Sequence, residues 1–161
     1  MTRAATAVVL GVLAVAGCAD AAGVERAAIE GRITRIVDGD TIRVTGGGRE
    51  YTVRLLGIDT PETVHPTQPV ECGGRRATAA LAGFAGRPVT LETDPTQDTY
   101  DRFDRLLAYA SSRGESLQER QLRRGWARVY VYDGRPFERL GAFRAVEQRA
   151  RAAGRGIWGL C

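Results

Sequence analysis

The sequence predicts an α+β domain in which five short strands close into a small Greek-key barrel with three helices around it. Three observations carry this. Three strand patterns follow one another between residues 29 and 56. A run with helical period then separates them from a fourth and a fifth strand pattern. Two further helix signals occupy the C-terminal third. At 161 residues the chain suits one such domain rather than two.

The first strand is expected from Ile29 to Val37 and the second from Thr41 to Thr45, where Ile42 and Val44 alternate with Arg43. Gly46-Gly47-Gly48 provides a hairpin turn. The third strand, Glu50 to Leu56, alternates Tyr51, Val53 and Leu55 with Thr52 and Arg54, so Arg54 points away from the apolar trio. Residues 59–74 hold three prolines and read as a loop. Ala77, Ala80, Leu81 and Phe84 mark one face of a first helix, which Gly86 stops. Pro88 to Thr93 and Arg105 to Ala110 read as strands four and five, with a polar, turn-rich segment between them. Ser116-Leu117-Gln118-Glu119 is a capping box that starts a second helix, and Gly125 stands where such a helix ends. An extended stretch from Ala127 to Tyr132 and a turn at Asp133-Gly134 follow. Pro136 is expected in the first turn of a third helix, whose buried stripe is Leu140, Phe143, Val146, Ala150 and Ala153. This order of elements is that of an OB-fold, a barrel often used to bind nucleic acids or sugars.

The domain is expected over residues 29–161. Before it, Arg3 and the uncharged apolar run from Ala4 to Ala16 form a signal-peptide core, too short to span a membrane comfortably. Val15-Ala16-Gly17-Cys18 has the look of a lipobox. Residues 1–17 are then a lipoprotein signal peptide, Cys18 carries lipid on the outer face of the cell membrane, and residues 18–28 are a tether. The alternative is an ordinary secretion signal cut between Ala19 and Ala22, giving a fully secreted protein. Cys72 and Cys161 remain, and an exporting route favours a disulfide between them over two free thiols.

The formal net charge is +4 with a pI near 9.3, a modest basic bias that fits an anionic partner. Arginine supplies all the fixed positive charge, because the chain contains no lysine. Arginine-rich coding in a high-GC genome accounts for this as well, although a guanidinium grips phosphate with a paired geometry that an ammonium lacks.

Carboxylates concentrate at two strand ends, in Asp38-Gly39-Asp40-Thr41 and in Asp59-Thr60-Pro61-Glu62. Asp-Gly alone reads as a turn, but two acidic groups around one hairpin suit a hard cation with oxygen ligands, with Asp40, Asp59 and the Thr60 carbonyl as candidates. Zinc is excluded as the intended ion, since His65 is the single histidine and the cysteines have other uses.

The runs Val37–Thr41 and Arg54–Thr63, with Asp101–Tyr109 and Gly125–Tyr132, resemble the thermonuclease (staphylococcal nuclease-like) family, in a bacterial lipoprotein form. The resemblance spans Ile29 to Trp158. It implies a calcium-dependent enzyme that cleaves phosphodiester bonds in DNA and RNA, endonucleolytically and exonucleolytically, leaves 3′-phosphates and acts as a monomer. It assigns Ca²⁺ to Asp40, Asp59 and the Thr60 carbonyl, and the positioning or deprotonation of water to Glu62. Arg54 and Arg105 become a clamp on the scissile phosphate, and Tyr130 and Tyr132 line a nucleotide pocket. Outside the resemblance, Arg105 reads as a surface arginine and the tyrosines as packing at a barrel mouth. A non-catalytic OB-fold lipoprotein that binds nucleic acid is the competing reading, but it would not need Asp40, Arg54, Asp59, Glu62 and Arg105 together. Two departures stand out. Asp104 takes a position where the best-known member has glycine, and can either pair with Arg105 or face solvent. The loop carries Thr67-Gln68-Pro69 where that member has lysines.

Overall fold

A computed structural model describes residues 28–63 and 69–161. Cys18, His65, the signal peptide and all of the tether but its last residue lie outside the described residues.

Strands β1 (Ala28–Ile36), β2 (Thr41–Gly46) and β3 (Arg49–Leu55) form an antiparallel meander. Gly47 and Gly48 join β2 to β3 with φ of 57° and 78°. Two successive positive φ values make the tight turn whose twist matches that of the strands it joins. The two-residue strand β4 (Ile58–Asp59) leaves the meander, and helix α1 (Gly74–Leu81) with a short 3-10 turn at Ala82–Phe84 leads into β5 (Pro88–Glu92). Strand β5 pairs with β1 and with β6 (Leu106–Ser112), and β6 closes the barrel by running parallel to β3. The result is the expected α+β OB-fold. Alternation then dictates the core: Ile33, Ile42, Val44, Val53, Leu55, Leu91, Leu106 and Ala108 all point inward and are fully buried or nearly so.

A β-hairpin through β7 (Glu115–Ser116) delivers α2 (Leu117–Arg124). Ser116 caps this helix by accepting the Glu119 amide, and Gly125 ends it at φ 72°. Gln118, fully buried, accepts the Ala110 N–H and donates to the Ala108 carbonyl, so α2 satisfies backbone groups of β6 from the side. Strand β8 (Arg128–Val129) pairs antiparallel with β4. Helix α3 (Leu140–Ala152) and the single turn α4 (Ile157–Leu160) complete the chain. Among the described residues no helix is long and apolar enough to cross a membrane.

The sequence reading differs from the structure in the last third. The expected extended stretch from Ala127 to Tyr132 is a strand only at Arg128–Val129, and Tyr132–Gly134 turns as a 3-10 helix with Asp133 and Gly134 at positive φ. Pro136 lies ahead of α3 rather than in its first turn. The reason is Phe137. Its ring is buried against Phe143, with centroids 5.5 Å apart, and beneath Gly57, so the chain must dive into the core before a helix can begin. The buried carboxylate of Asp94 accepts the Glu138 N–H and the Tyr109 hydroxyl lies 3.5 Å from the Arg139 N–H, serving the approach to α3. Ala153 falls beyond the helix and is exposed, so Phe143 and Ala150 carry the buried stripe, with Leu140 and Val146 half-buried.

Candidate functional site

The site forms where the open ends of β2 and β3 meet the loop after β4 and the approach to β6. Asp38, Asp40, Thr41, Arg54, Asp59, Thr60, Pro61, Glu62, Phe103 and Arg105 line a cavity of about 260 Å³. The fold thus brings together all six residues that the sequence singles out for catalysis and metal binding.

Arg54 is at its centre. Strand register sets it opposite Thr41 on β2 and Leu107 on β6, facing out of the core. Its side chain is only 13% exposed. Nε lies 3.2 Å from Asp40 Oδ1, Nη2 2.8 Å from Asp59 Oδ1, and Nη1 donates to the carbonyls of Leu55 and Ile58. Asp40 is buried and held by several donors: Oδ2 accepts the amide and the hydroxyl of Thr60, both at 2.9 Å, and Oδ1 accepts the Thr41 hydroxyl. Thr60 therefore ties the two acidic segments together by its donors.

Asp38 accepts the Asp40 N–H. Burial first, then the charge of Asp40, pushes its carboxyl up from 3.8 to about 6, against hydrogen bonds from the Asp40 and Thr41 amides. Asp59 is raised too, by partial desolvation in the cavity wall and then by Asp40, Glu71 and Glu62, with Arg54 opposing. In both cases burial is the larger cause, and the charges of Asp40 and Glu62 add to it.

Arg105 faces Arg54 across the cavity from the residue before β6, not from within the expected fifth strand. It is held by Asp101, whose Oδ2 lies 2.7 Å from both Nε and Nη2. Asp101 Oδ1 accepts the Phe103 and Arg105 amides, closing a tight loop. Desolvation works against the Asp101 carboxylate, but these hydrogen bonds outweigh it and hold its pKa below the usual range. Asp101 is thus the acidic partner of Arg105. Asp104 is exposed, at φ 60°, in a left-handed conformation that glycine adopts without strain. The departure at Asp104 is accordingly a matter of backbone geometry.

A second cavity of about 520 Å³ opens beside the first and shares Arg54, Asp59, Phe103 and Arg105 with it. Tyr100, Tyr130 and Tyr132 line it, all three exposed. Phe103, 63% exposed, stands between the cavities with the guanidiniums of Arg102 and Arg105 at 4.7 and 5.3 Å from its ring centre.

Two residues escaped the sequence reading. Asp101 lies inside the run Asp101–Tyr109, and nothing in that run's local pattern signals its pairing with Arg105. Gln121, fully buried on α2, donates to the carbonyls of Gly39 and Ala77 and so braces the Asp38–Asp40 turn from below. Its position on the buried face of an otherwise polar helix was the signal.

Among the described residues no three acidic, histidine or cysteine side chains stand grouped as a ready-made metal cage. Arg54 instead bridges Asp40 and Asp59. The donor set itself is all oxygen, crowded with carboxylates and short of one or two positive charges, which fits a hard divalent cation.

Residues 52–159 match the family model described as staphylococcal nuclease homologue. The chain belongs to that family. As a staphylococcal nuclease homologue it carries Arg54, Asp59, Glu62, Arg105, Tyr130 and Tyr132 within the matched span, while Asp38 and Asp40 precede it. It is 41% identical over 128 residues to the SPbeta prophage-derived endonuclease YokF of Bacillus subtilis, and 39% identical over 128 residues to endonuclease YncB of the same organism. Each comparison covers 78% of this chain, but 43% of YokF and 60% of YncB. It is 33% identical over 129 residues to the thermonuclease of Staphylococcus hyicus, covering 79% of this chain and 74% of that one.

Proposed function

We propose that this protein is a calcium-dependent nuclease that hydrolyses phosphodiester bonds in DNA and RNA, cutting within strands and from their ends and leaving 3′-phosphates. The observation that supports it most is the convergence of two arginines and four carboxylates on one small cavity beside an aromatic-lined groove. The chain's relatives, named endonucleases and thermonucleases, support the same reading.

In this mechanism Tyr130 and Tyr132 seat a nucleotide in the larger cavity, and the scissile phosphate lies where the two cavities meet. Arg54, on β3, and Arg105, in the loop just before β6, approach that phosphate from two sides and offset the charge that grows on its equatorial oxygens. Arg54 is rigid because Asp40, Asp59 and two carbonyls fix it. Arg105 is oriented by Asp101, which engages Nε and Nη2 and leaves Nη1 without a partner among the described residues. Glu62, on the same cavity wall, orients a water for in-line attack and takes its proton. The P–O5′ bond then breaks, leaving a 3′-phosphate and a 5′-alkoxide that takes a proton from solvent to become the 5′-hydroxyl, while Glu62 returns its proton to solvent. Asp40, Asp59 and the Thr60 carbonyl would hold Ca²⁺, which supplies further charge neutralisation at the phosphate.

The enzyme acts as a monomer, anchored through lipid on Cys18 at the outer face of the membrane. Cys18→Ala should move it from the membrane fraction to the medium with turnover intact; a variant that still sediments with membranes overturns the anchor. The activity itself is tested by Arg54→Ala and Arg105→Ala, each expected to lose on the order of 10²–10³ in turnover. Parent-level turnover in either variant overturns the two-arginine clamp at that position.

A further inference from the structure

Glu62 sits beyond β4 on a segment with no ladder of its own, so something else must fix it. The structure gives it a clamp from one side. The Glu71 N–H donates to the Glu62 carbonyl at 3.0 Å, and the Glu62 N–H donates back to the Glu71 carboxylate at 3.1 Å. The Glu71 carbonyl accepts the Gly74 N–H at the start of α1. Gly74 fits there because it has no Cβ: one would lie 2.9 Å from the Glu62 carbonyl oxygen and 3.0 Å from that of Pro61.

The next residue along, Cys72, is bonded to Cys161. Cys161 is itself anchored, since its N–H donates to the Ile157 carbonyl and the Ile157 N–H donates to the Gly125 carbonyl at the end of α2. A continuous covalent and hydrogen-bonded path therefore runs from α2 through α4 and the disulfide to the backbone of Glu62. We propose that Glu71, held by the Cys72–Cys161 disulfide, is a positioning residue for Glu62. The proposal rests on the catalytic reading of Glu62 given above. Glu71 is exposed, so its two hydrogen bonds with Glu62 contribute little to global stability. Their effect is geometric, because misplacing a reacting group by about 1 Å costs on the order of 10²-fold in rate.

The test is a double-mutant cycle on the full chain, with single-stranded DNA and calcium, reading kcat and KM separately. Glu71→Ala loses the side-chain acceptor and should lower kcat by roughly tenfold with KM nearly unchanged. Glu71→Gln keeps an acceptor oxygen and should restore most of kcat. In a Glu62→Gln background, Glu71→Ala should change kcat by less than about twofold, because there is no carboxylate left to position. Parent kcat in Glu71→Ala, or an equal loss in both backgrounds, overturns the proposal. Amide hydrogen exchange separates it from the nuclease reading. The Glu62 amide should exchange slowly in the parent and in Glu71→Gln but fast in Glu71→Ala, whether or not DNA is cut. Equal exchange in all three overturns the clamp. Replacing both cysteines by serine should act as Glu71→Ala does, in kcat and in Glu62 exchange; no change in either removes the disulfide from the proposal.

Discussion

Asp38→Asn should stabilise the metal-free protein while harming the proposed calcium form. Asp38 is 9% exposed and shares its cavity with Asp40, Asp59 and Glu62. Burial and the Asp40 charge move its carboxyl from 3.8 to about 6. The folded value exceeds the unfolded one, so the native state keeps this proton longer. The resulting cost is absent below about pH 4, grows between about pH 4 and 6, and is complete above that. Above pH 6 a displacement of this size corresponds to about 3 kcal/mol. Asparagine removes the charge and keeps an oxygen for the Asp40 amide, which Asp38 accepts at 2.9 Å. Part of the gain is lost to an amide nitrogen placed among donors, leaving about 1–3 kcal/mol, or roughly 3–10 °C in Tm. The assay is thermal unfolding with a chelator at pH 8 and at pH 4, then at pH 8 with calcium. The variant should melt higher than the parent at pH 8 in chelator, match it at pH 4, and gain less from calcium. A variant that melts lower in chelator at pH 8, or gains as much at pH 4, would mean that the Asp38 charge does not destabilise the metal-free fold.

Other substitutions probe the fold and its link to the site. Gly57→Ala should cost about 2–4 kcal/mol and reshape the larger cavity, because Gly57 has φ 82° and a Cβ would lie 2.6 Å from the Phe137 ring; urea unfolding reads the loss, and parent stability contradicts it. Phe143→Ala removes a fully buried ring packed edge-on to Tyr109 and should cost about 3–5 kcal/mol by the same measurement. Hydrogen bonds from Thr96, Tyr109 and Glu138 outweigh burial and depress the pKa of Asp94. Its contribution is therefore present above the ordinary carboxylate range and lost as pH falls through the depressed folded value, so Asp94→Asn should flatten the acid limb of the stability curve; an unchanged acid limb contradicts it. Opening the Cys72–Cys161 bond, whose partners stand 89 residues apart, should cost about 4–5 kcal/mol in the loop-closure picture, read as the denaturant midpoint with and without reductant.

The barrel was legible because its signals are local and periodic. The alternation in Thr41–Leu55 and the capping box at Ser116 each state one physical preference, and nothing in the fold opposes them. The approach to α3 was not legible. Pro136 has the local chemistry of a helix start, but burial of Phe137 under Gly57 decides where the chain goes, and that contact spans some eighty residues of sequence. In the site, Asp40, Asp59 and Thr60 could be read from their clustering at strand ends, while Arg54, Glu62 and Arg105 could be placed there only through the family resemblance. How they pair could not. Arg54 bridges Asp40 and Asp59, and Arg105 takes Asp101 rather than Asp104, because the left-handed turn at Asp104 directs that side chain to solvent. Gln121 was hidden for a similar reason: its partners, Gly39 and Ala77, are backbone carbonyls far away in sequence.

In the proposed function this cavity hydrolyses phosphodiester bonds with the help of calcium and Glu62. The most direct measurement incubates the full chain and its Glu62→Gln variant with an end-labelled DNA strand, in calcium and in a calcium chelator, and resolves the product ends. The parent should cleave to 3′-phosphate ends in calcium and not at all in chelator, and the variant should lose at least about 10²-fold. Cleavage that survives the chelator, or a variant as fast as its parent, would contradict the proposed function.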